Sequence, residues 1–291
     1  MPVIRFGLVG AGPWAERFHA PMIAGSPGVE LAGVWARRAE AAVALAAPYG
    51  ARVSSSYDDL LAHCDAVAFA VPPDVQADLA PRAARAGRHL LLEKPLAFTV
   101  AGAQEIVDAV DAAGVTSLLM VRNRFDPAVV ELLHASAEVV TRGVVARFVS
   151  GAALPGETFA TPWRQERGAL FDLAPHALDL IEALLGPVEG ITATGDPKRW
   201  VGVTTRHTGG AVGQVALSLT VPGVEGQLRL DLVHDGGVTS LGPLLPDEDE
   251  TVPRAIMAAF VGAVASGRSH ELDAHRGLMI QRLLEGAGAT G

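Results

Sequence analysis

Short apolar runs alternate with longer helical patterns over the first 121 residues. Residues 3–9, 29–36, 65–71, 89–92 and 115–121 are apolar enough to be strands buried on both faces. Between them, residues 13–25, 38–49, 74–86 and 99–114 carry Ala, Leu, Arg and Glu at helical spacing. The alternation predicts a doubly wound parallel sheet.

Beyond residue 121 the pattern changes. Asp126-Pro127 opens a short helix to about 136, and a longer helix over 169–185 is stopped by Gly186-Pro187. Strand-like stretches at 142–151, 188–194, 199–207, 211–221 and 225–234 are separated by turn residues such as Thr208-Gly209-Gly210 and Asp235-Gly236-Gly237. These predict hairpins in a mostly antiparallel open sheet. Residues 242–250, with their acidic run from Asp247, read as a solvated loop before closing helices at 253–266 and 272–287. The fold class expected is α/β, with a Rossmann-type domain over 1–121 and an α+β domain over 122–291.

Composition narrows the classes of function. Hydrophobic residues make up 49% and charged residues 19%, a globular balance. The net charge of -9 is spread without a basic cluster, which argues against nucleic acid or an anionic membrane as partner. The single Cys64 has no disulfide partner in the chain, no apolar run approaches the roughly 18 residues of a membrane span, and Met-Pro-Val-Ile-Arg-Phe lacks the form of a secretion signal. A cytoplasmic setting is therefore expected.

The first strand runs directly into Gly10-Ala11-Gly12-Pro13-Trp14-Ala15, a G-x-G-x-x-A pattern. The first glycine permits a tight turn, the second lets backbone approach a pyrophosphate, and Ala15 lets the helix pack closely. Phosphate would then lie over free amides at the helix N-terminus. At the end of the second strand, Val34-Trp35-Ala36-Arg37-Arg38 has two arginines and no carboxylate. An NAD site usually places Asp or Glu there for the ribose 2′-hydroxyl, so NADP(H) is favoured and NAD(H) remains possible. Strands of an open parallel sheet deliver their carboxyl ends to the same crevice, which adds Pro72-Pro73 and Glu93-Lys94-Pro95. Lys94 is one of only two lysines beside 21 arginines. An amine can lose its proton when partly desolvated and a guanidinium cannot, so position 94 points to proton chemistry.

Together these residues resemble the glucose-fructose oxidoreductase, inositol dehydrogenase and rhizopine-catabolism (Gfo/Idh/MocA) family. The likeness rests on Gly10 to Ala15, Pro72-Pro73 and above all Glu93-Lys94-Pro95, and continues through Asn123-Arg124-Phe125-Asp126-Pro127 to Asp172 and His176. It implies hydride transfer to or from a sugar, polyol or related carbonyl, with Lys94, Asp172 and His176 catalytic and the Lys94-Pro95 bond often cis. Gln76 stands where family members often carry His. With Asn123, Trp163 and Arg164 it completes the candidate substrate contacts.

Read physically, Asp172 and His176 lie four residues apart on the predicted helix and share a face, with Asp179 near it. A histidine near neutral pKa can exchange a proton with a hydroxyl, and a neighbouring carboxylate can fix its tautomer. Asp-x-x-x-His offers two metal ligands with no evident third, so no metal is expected. Trp163-Arg164 lies in a Pro/Gly-containing loop from which it could reach the inter-domain cleft. His19, His63, His89, His134, His207, His234, His270 and His275 show no partner spacing that singles them out. The resulting expectation is an NADP(H)-dependent dehydrogenase or reductase, with Glu93 and Lys94 also counted among the cofactor contacts. A nucleotide-binding sensor and an NAD-assisted glycoside-cleaving enzyme are the alternatives. The hairpin sheet, covered on at most one face, predicts a homodimer or homotetramer.

Overall fold

The computed structural model describes residues 3–244 and 250–288. The chain divides into two compact units, one formed by residues up to Met120 with Pro253–Gln281, the other by Val121–Val252 and the chain from Arg282.

The first unit is built on a parallel sheet of six strands in the order β3-β2-β1-β4-β5-β6. These are β1 (Ile4–Val9), β2 (Val29–Trp35), β3 (Arg52–Val53), β4 (Ala66–Phe69), β5 (His89–Leu92) and β6 (Ser117–Leu119). Five were legible as apolar runs. β3 was not, because two exposed residues carry no periodicity. Phe6, Leu8, Phe69, Leu90 and Leu91 are fully buried in the middle of the sheet, as side chains on doubly covered strands must be. A π-helical turn (Ala15–His19) leads into α1 (Ala20–Ala24), and α2 (Ala39–Ala46), α3 (Tyr57–Ala62), α4 (Pro73–Arg85) and α5 (Val100–Ala113) complete the alternation. The strand order reverses between β1 and β4, and ligands of such sheets bind outside the carboxyl ends at that point.

Residues 253–281 correct the expected division. Chain order assigned them to the second domain, but their apolar side chains are buried in the first unit. Phe260 of α10 (Thr251–Ser266) has its ring centroid 5.1 Å from that of Phe6. The Leu272 carbonyl accepts from Leu119 N at 2.6 Å, and Ala274 N donates to Ser117 Oγ at 3.0 Å. Linear order says nothing about which core a returning helix completes.

The second unit carries a mixed six-stranded sheet, order β12-β11-β7-β10-β9-β8. Its strands are β7 (Thr141–Val149), β8 (Val188–Asp196), β9 (Trp200–His207), β10 (Val212–Ser218), β11 (Gln227–His234) and β12 (Gly237–Leu244). All pairs are antiparallel except β7 with β10, which the long intervening connection allows to run parallel. Residues 242–244, expected in a loop, finish β12, and 245–249 lie outside the described residues. The α6 helix (Pro127–Ser136) begins where expected, with Asp126 Oδ1 accepting from Ala128 N at 2.8 Å.

The helix predicted over 169–185 is broken. It forms α8 (Ala169–Asp172) and α9 (Ala174–Leu185), parted at Leu173. Pro175 has no N–H to continue the ladder and is accommodated only in the first turn of a new helix. Most of α9 is buried where it packs against β7 and β10.

Candidate active site

The glycine turn begins where β1 ends. Gly10 N donates to Trp35 O at 2.9 Å and Ala70 N to Val9 O at 2.8 Å, holding the turn between β2 and β4. Gly10 has φ +106°, and a Cβ there would collide with the Ala70 carbonyl. At Gly12 a Cβ would meet nothing within 4 Å. The backbone is therefore open at the point where a pyrophosphate must approach it, and the following helical segment points its free amides the same way. Ala15 is completely buried, consistent with close packing of that segment on the sheet. These residues fit a dinucleotide. Arg37 and Arg38 are exposed just beyond β2, and their guanidinium groups make no hydrogen bond or ion pair among the described residues.

The carboxyl end of β5 is tightly held. Glu93 is buried, and its Oε1 accepts from Trp14 Nε1 at 2.6 Å and bonds His19 Nε2 at 2.8 Å. The other oxygen, Oε2, accepts the Lys94 backbone N–H at 3.2 Å. Lys94-Pro95 is a cis peptide, as the resemblance implied, and the Lys94 side chain is half-buried. Pro72 caps α4 and Pro73 is its first residue.

Gln76 corrects an expectation. It is fully buried, with Nε2 donating to the carbonyls of Glu93 at 2.8 Å and Leu96 at 2.9 Å while Oε1 accepts Glu93 N at 2.8 Å. Both amide protons are spent on backbone carbonyls and the side chain is fully buried, so it offers no donor to a substrate. Gln76 clamps the Glu93–Leu96 turn.

In the second unit, Trp163 and Arg164 belong to the short helix α7 (Pro162–Arg167) rather than to a loop. Gly168 turns the corner into α8 at φ +70°, where a Cβ would strike the Pro197 carbonyl. The corner brings Arg164 back to Asp172, with Nε donating to Oδ2 at 3.0 Å. The Arg164 guanidinium also reaches Thr161 Oγ1 at 3.3 Å and stacks 4.6 Å over the Trp163 ring. Asp172 and His176, both buried, flank the Leu173 break. Asp179, wholly buried on α9, pairs with Arg124 Nη1 at 3.2 Å. The amide nitrogen Nδ2 of Asn123 is buried and has no acceptor among the described residues.

Two contributors escaped the sequence reading. His19 was one of nine histidines and needed the π turn to bring it to Glu93. Arg124 was visible only as a motif member, because its acidic partner lies 55 residues away. Among the described residues no group of three or more His, Cys, Asp or Glu could hold a metal, and no helix is long and apolar enough to cross a membrane. Burial pushes the Cys64 thiol up to about 11, which makes it an unreactive core residue.

A Rossmann unit with an open glycine turn, joined to a second unit on a mixed sheet, defines a two-domain dinucleotide-binding protein. Residues 4–122 match the model described as "Oxidoreductase family, NAD-binding Rossmann fold", and 140–239 match the GFO/IDH/MocA C-terminal domain. The chain belongs to the Gfo/Idh/MocA family of oxidoreductases. It is 33% identical over 190 residues to the uncharacterized oxidoreductase YdgJ of Escherichia coli, covering 63% of this chain and 54% of that one. It is 32% identical over 190 residues to dTDP-3,4-didehydro-2,6-dideoxy-alpha-D-glucose 3-reductase of Streptomyces violaceoruber, covering 63% and 55%. The chain thus spans about half the length of these curated relatives. Among solved structures, the WlbA dehydrogenase of Bordetella pertussis, in complex with NADH and UDP-GlcNAcA, is 25% identical with a TM-score of 0.87, over 98% of this chain and 94% of that one.

Proposed function

We propose that the protein is an NADP(H)-dependent oxidoreductase that interconverts a hydroxyl and a carbonyl on a sugar, polyol or similar small molecule. The observation that carries this reading is the Trp14–Glu93 hydrogen bond of 2.6 Å, which joins the nucleotide turn to the strand end bearing Lys94. Gly10, Gly12, Pro13, Trp14 and Ala15 would hold the pyrophosphate side of the nucleotide, and Arg37 and Arg38 its 2′-phosphate. The nicotinamide, when bound, accepts or supplies the hydride.

Lys94 or His176 takes the hydroxyl proton in the oxidative direction and returns it in the reductive one. Asp172, whose Oδ2 accepts from Arg164 Nε at 3.0 Å, takes an orienting role. The unanswered Nδ2 of Asn123 is a donor available to a substrate oxygen. Assembly is part of the proposal. Val233 on β11 lies opposite both Val238 of β12 and Gly143 of β7, and Gly143 lies opposite Val212 of β10. The three valines are exposed, and this apolar row across the open sheet face suits a second copy of the chain in a homodimer or homotetramer.

Equilibrium binding tests the cofactor assignment. Wild type should bind NADPH more tightly than NADH, and Arg37→Ala should weaken NADPH roughly tenfold or more, the scale of one charge-assisted hydrogen bond, while barely changing NADH. Equal losses for both nucleotides would remove Arg37 from the 2′-phosphate. Catalytic rather than stoichiometric turnover of NADP+ with a panel of sugars and polyols, or of NADPH with the corresponding carbonyl compounds, would separate an oxidoreductase from a sensor and from an enzyme that recycles a tightly held nucleotide.

A further inference from the structure

Glu93 receives more than a strand end requires. Trp14 Nε1 and His19 Nε2 converge on the same oxygen, Oε1, at 2.6 and 2.8 Å, although they come from positions five apart on one helical segment. In an α-helix, side chains five apart diverge by about 140° around the axis. Here the segment is π-helical, with Ala20 N–H bonded to Ala15 O, and the wider turn brings both donors to one side. The indole is further fixed by stacking on Phe18, with centroids 4.8 Å apart and planes within 4°.

His19 is completely buried and its Nδ1 has no partner among the described residues, so its bond to Glu93 Oε1 is the polar anchor of the ring. Glu93 thus gathers two partners from the nucleotide turn at Oε1. Its second oxygen holds the Lys94 N–H, and Gln76 fixes the same turn from the other side.

We infer that Trp14 and His19 are positioning residues for Lys94, acting through Glu93 so that the nucleotide turn and the Lys94 backbone form one rigid piece. The inference deepens the proposed function, resting on its assignment of proton transfer to Lys94, and concerns geometry that can be read without turnover.

Lys94 and Lys198 are the only lysines, so reductive methylation with isotope-labelled formaldehyde gives two lysine resonances, of which Lys94→Arg identifies one. Trp14→Phe retains an aromatic face for Phe18 and removes only the indole donor. It should move the Lys94 resonance from its wild-type position, because a Glu93 carboxyl that has lost the indole donor no longer holds the Lys94 N–H in the same place. His19→Leu should act in the same direction, and His19→Gln, which offers an amide donor near the Nε2 position, should restore the wild-type signal. A wholly structural role would lower thermal midpoints and leave the Lys94 resonance in place. That result in both Trp14→Phe and His19→Leu overturns the inference. Full turnover in Lys94→Arg would overturn the proton role proposed for Lys94, while the resonance arm would still decide the positioning.

Discussion

In the first unit, the turn at Glu93–Pro95 is held by backbone-directed bonds from Gln76 and by two donors on one carboxylate oxygen. In the second, Asp172 and His176 flank a helix break, and Asp172 is drawn to the Arg164 side chain across a corner at Gly168. One candidate group is placed by a rigid strand end, the other two by a proline-imposed interruption. A turn fixed through its main chain tolerates little change around it. A carboxylate held by a side chain eight residues away depends on the corner that brings the two together. The same contrast runs behind the two sites, since the first unit answers Glu93 with hydrogen bonds and the second answers Asp179 with the buried Arg124 charge.

The sharpest break of this comparison lies in the second unit. Asp179→Ala would leave the Arg124 guanidinium buried without its carboxylate, and removing one member of a buried pair typically costs about 3–5 kcal/mol. Chemical denaturation should show that loss. A change under about 1 kcal/mol would mean that α9 is held by its apolar packing alone. Gln76→Ala is the matching test on the first unit.

Lys94→Arg tests the chemistry of the better-held turn. It keeps the positive charge but cannot readily give up a proton, so turnover should fall by roughly 10² or more while NADPH affinity stays within a few-fold. His176→Ala should lose a similar factor. If the two serve one proton path, the double variant loses less than the product of the single losses. Strictly multiplicative losses would assign them to separate steps. Near-normal turnover of Lys94→Arg would return Lys94 to the role of a fixed charge.

The sheet pattern, the glycine turn and the Glu93-Lys94-Pro95 run were legible because each is written in a few consecutive residues. What escaped was non-local. Gln76 looked like a substrate contact because its three acceptors and donors belong to a turn 17 to 20 residues on. His19 was one histidine among nine until the π turn placed it 2.8 Å from Glu93, 74 residues away. The continuous helix over 169–185 failed for a different reason. Its apolar spacing persists through Pro175, and periodicity alone does not register a missing N–H. Residues 253–281 went to the wrong unit because chain order carries no information about which core Phe260 completes.

The smallest expected effect concerns that returning segment. On α11 (Ala274–Gly286), His275 contacts Asp273 Oδ2 at 3.3 Å through Nδ1 and Asp111 Oδ2, in the last turn of α5, at 3.2 Å through Nε2. Partial burial works against the charged ring, but Asp273 and then Asp111 outweigh it and raise the His275 pKa above 6.5. A pKa raised in the folded state means that the folded protein binds the proton more tightly than the unfolded chain. The stabilisation is therefore fully present below about 6.5, the unfolded value, and is lost as pH rises through the raised folded value. The ring is half exposed, so solvent screening limits the effect to roughly 0.2–0.5 kcal/mol. Thermal midpoints of wild type and His275→Gln, measured from below pH 6.5 upward, should differ slightly in acid and converge as pH rises. The comparison uses a difference because His89, whose pKa burial depresses, contributes the opposite slope to both proteins. A gap that widens with rising pH would show that the two carboxylates do not hold His275 in its charged form, and that α11 is docked in the first unit by apolar contacts such as Gly277 against Leu96.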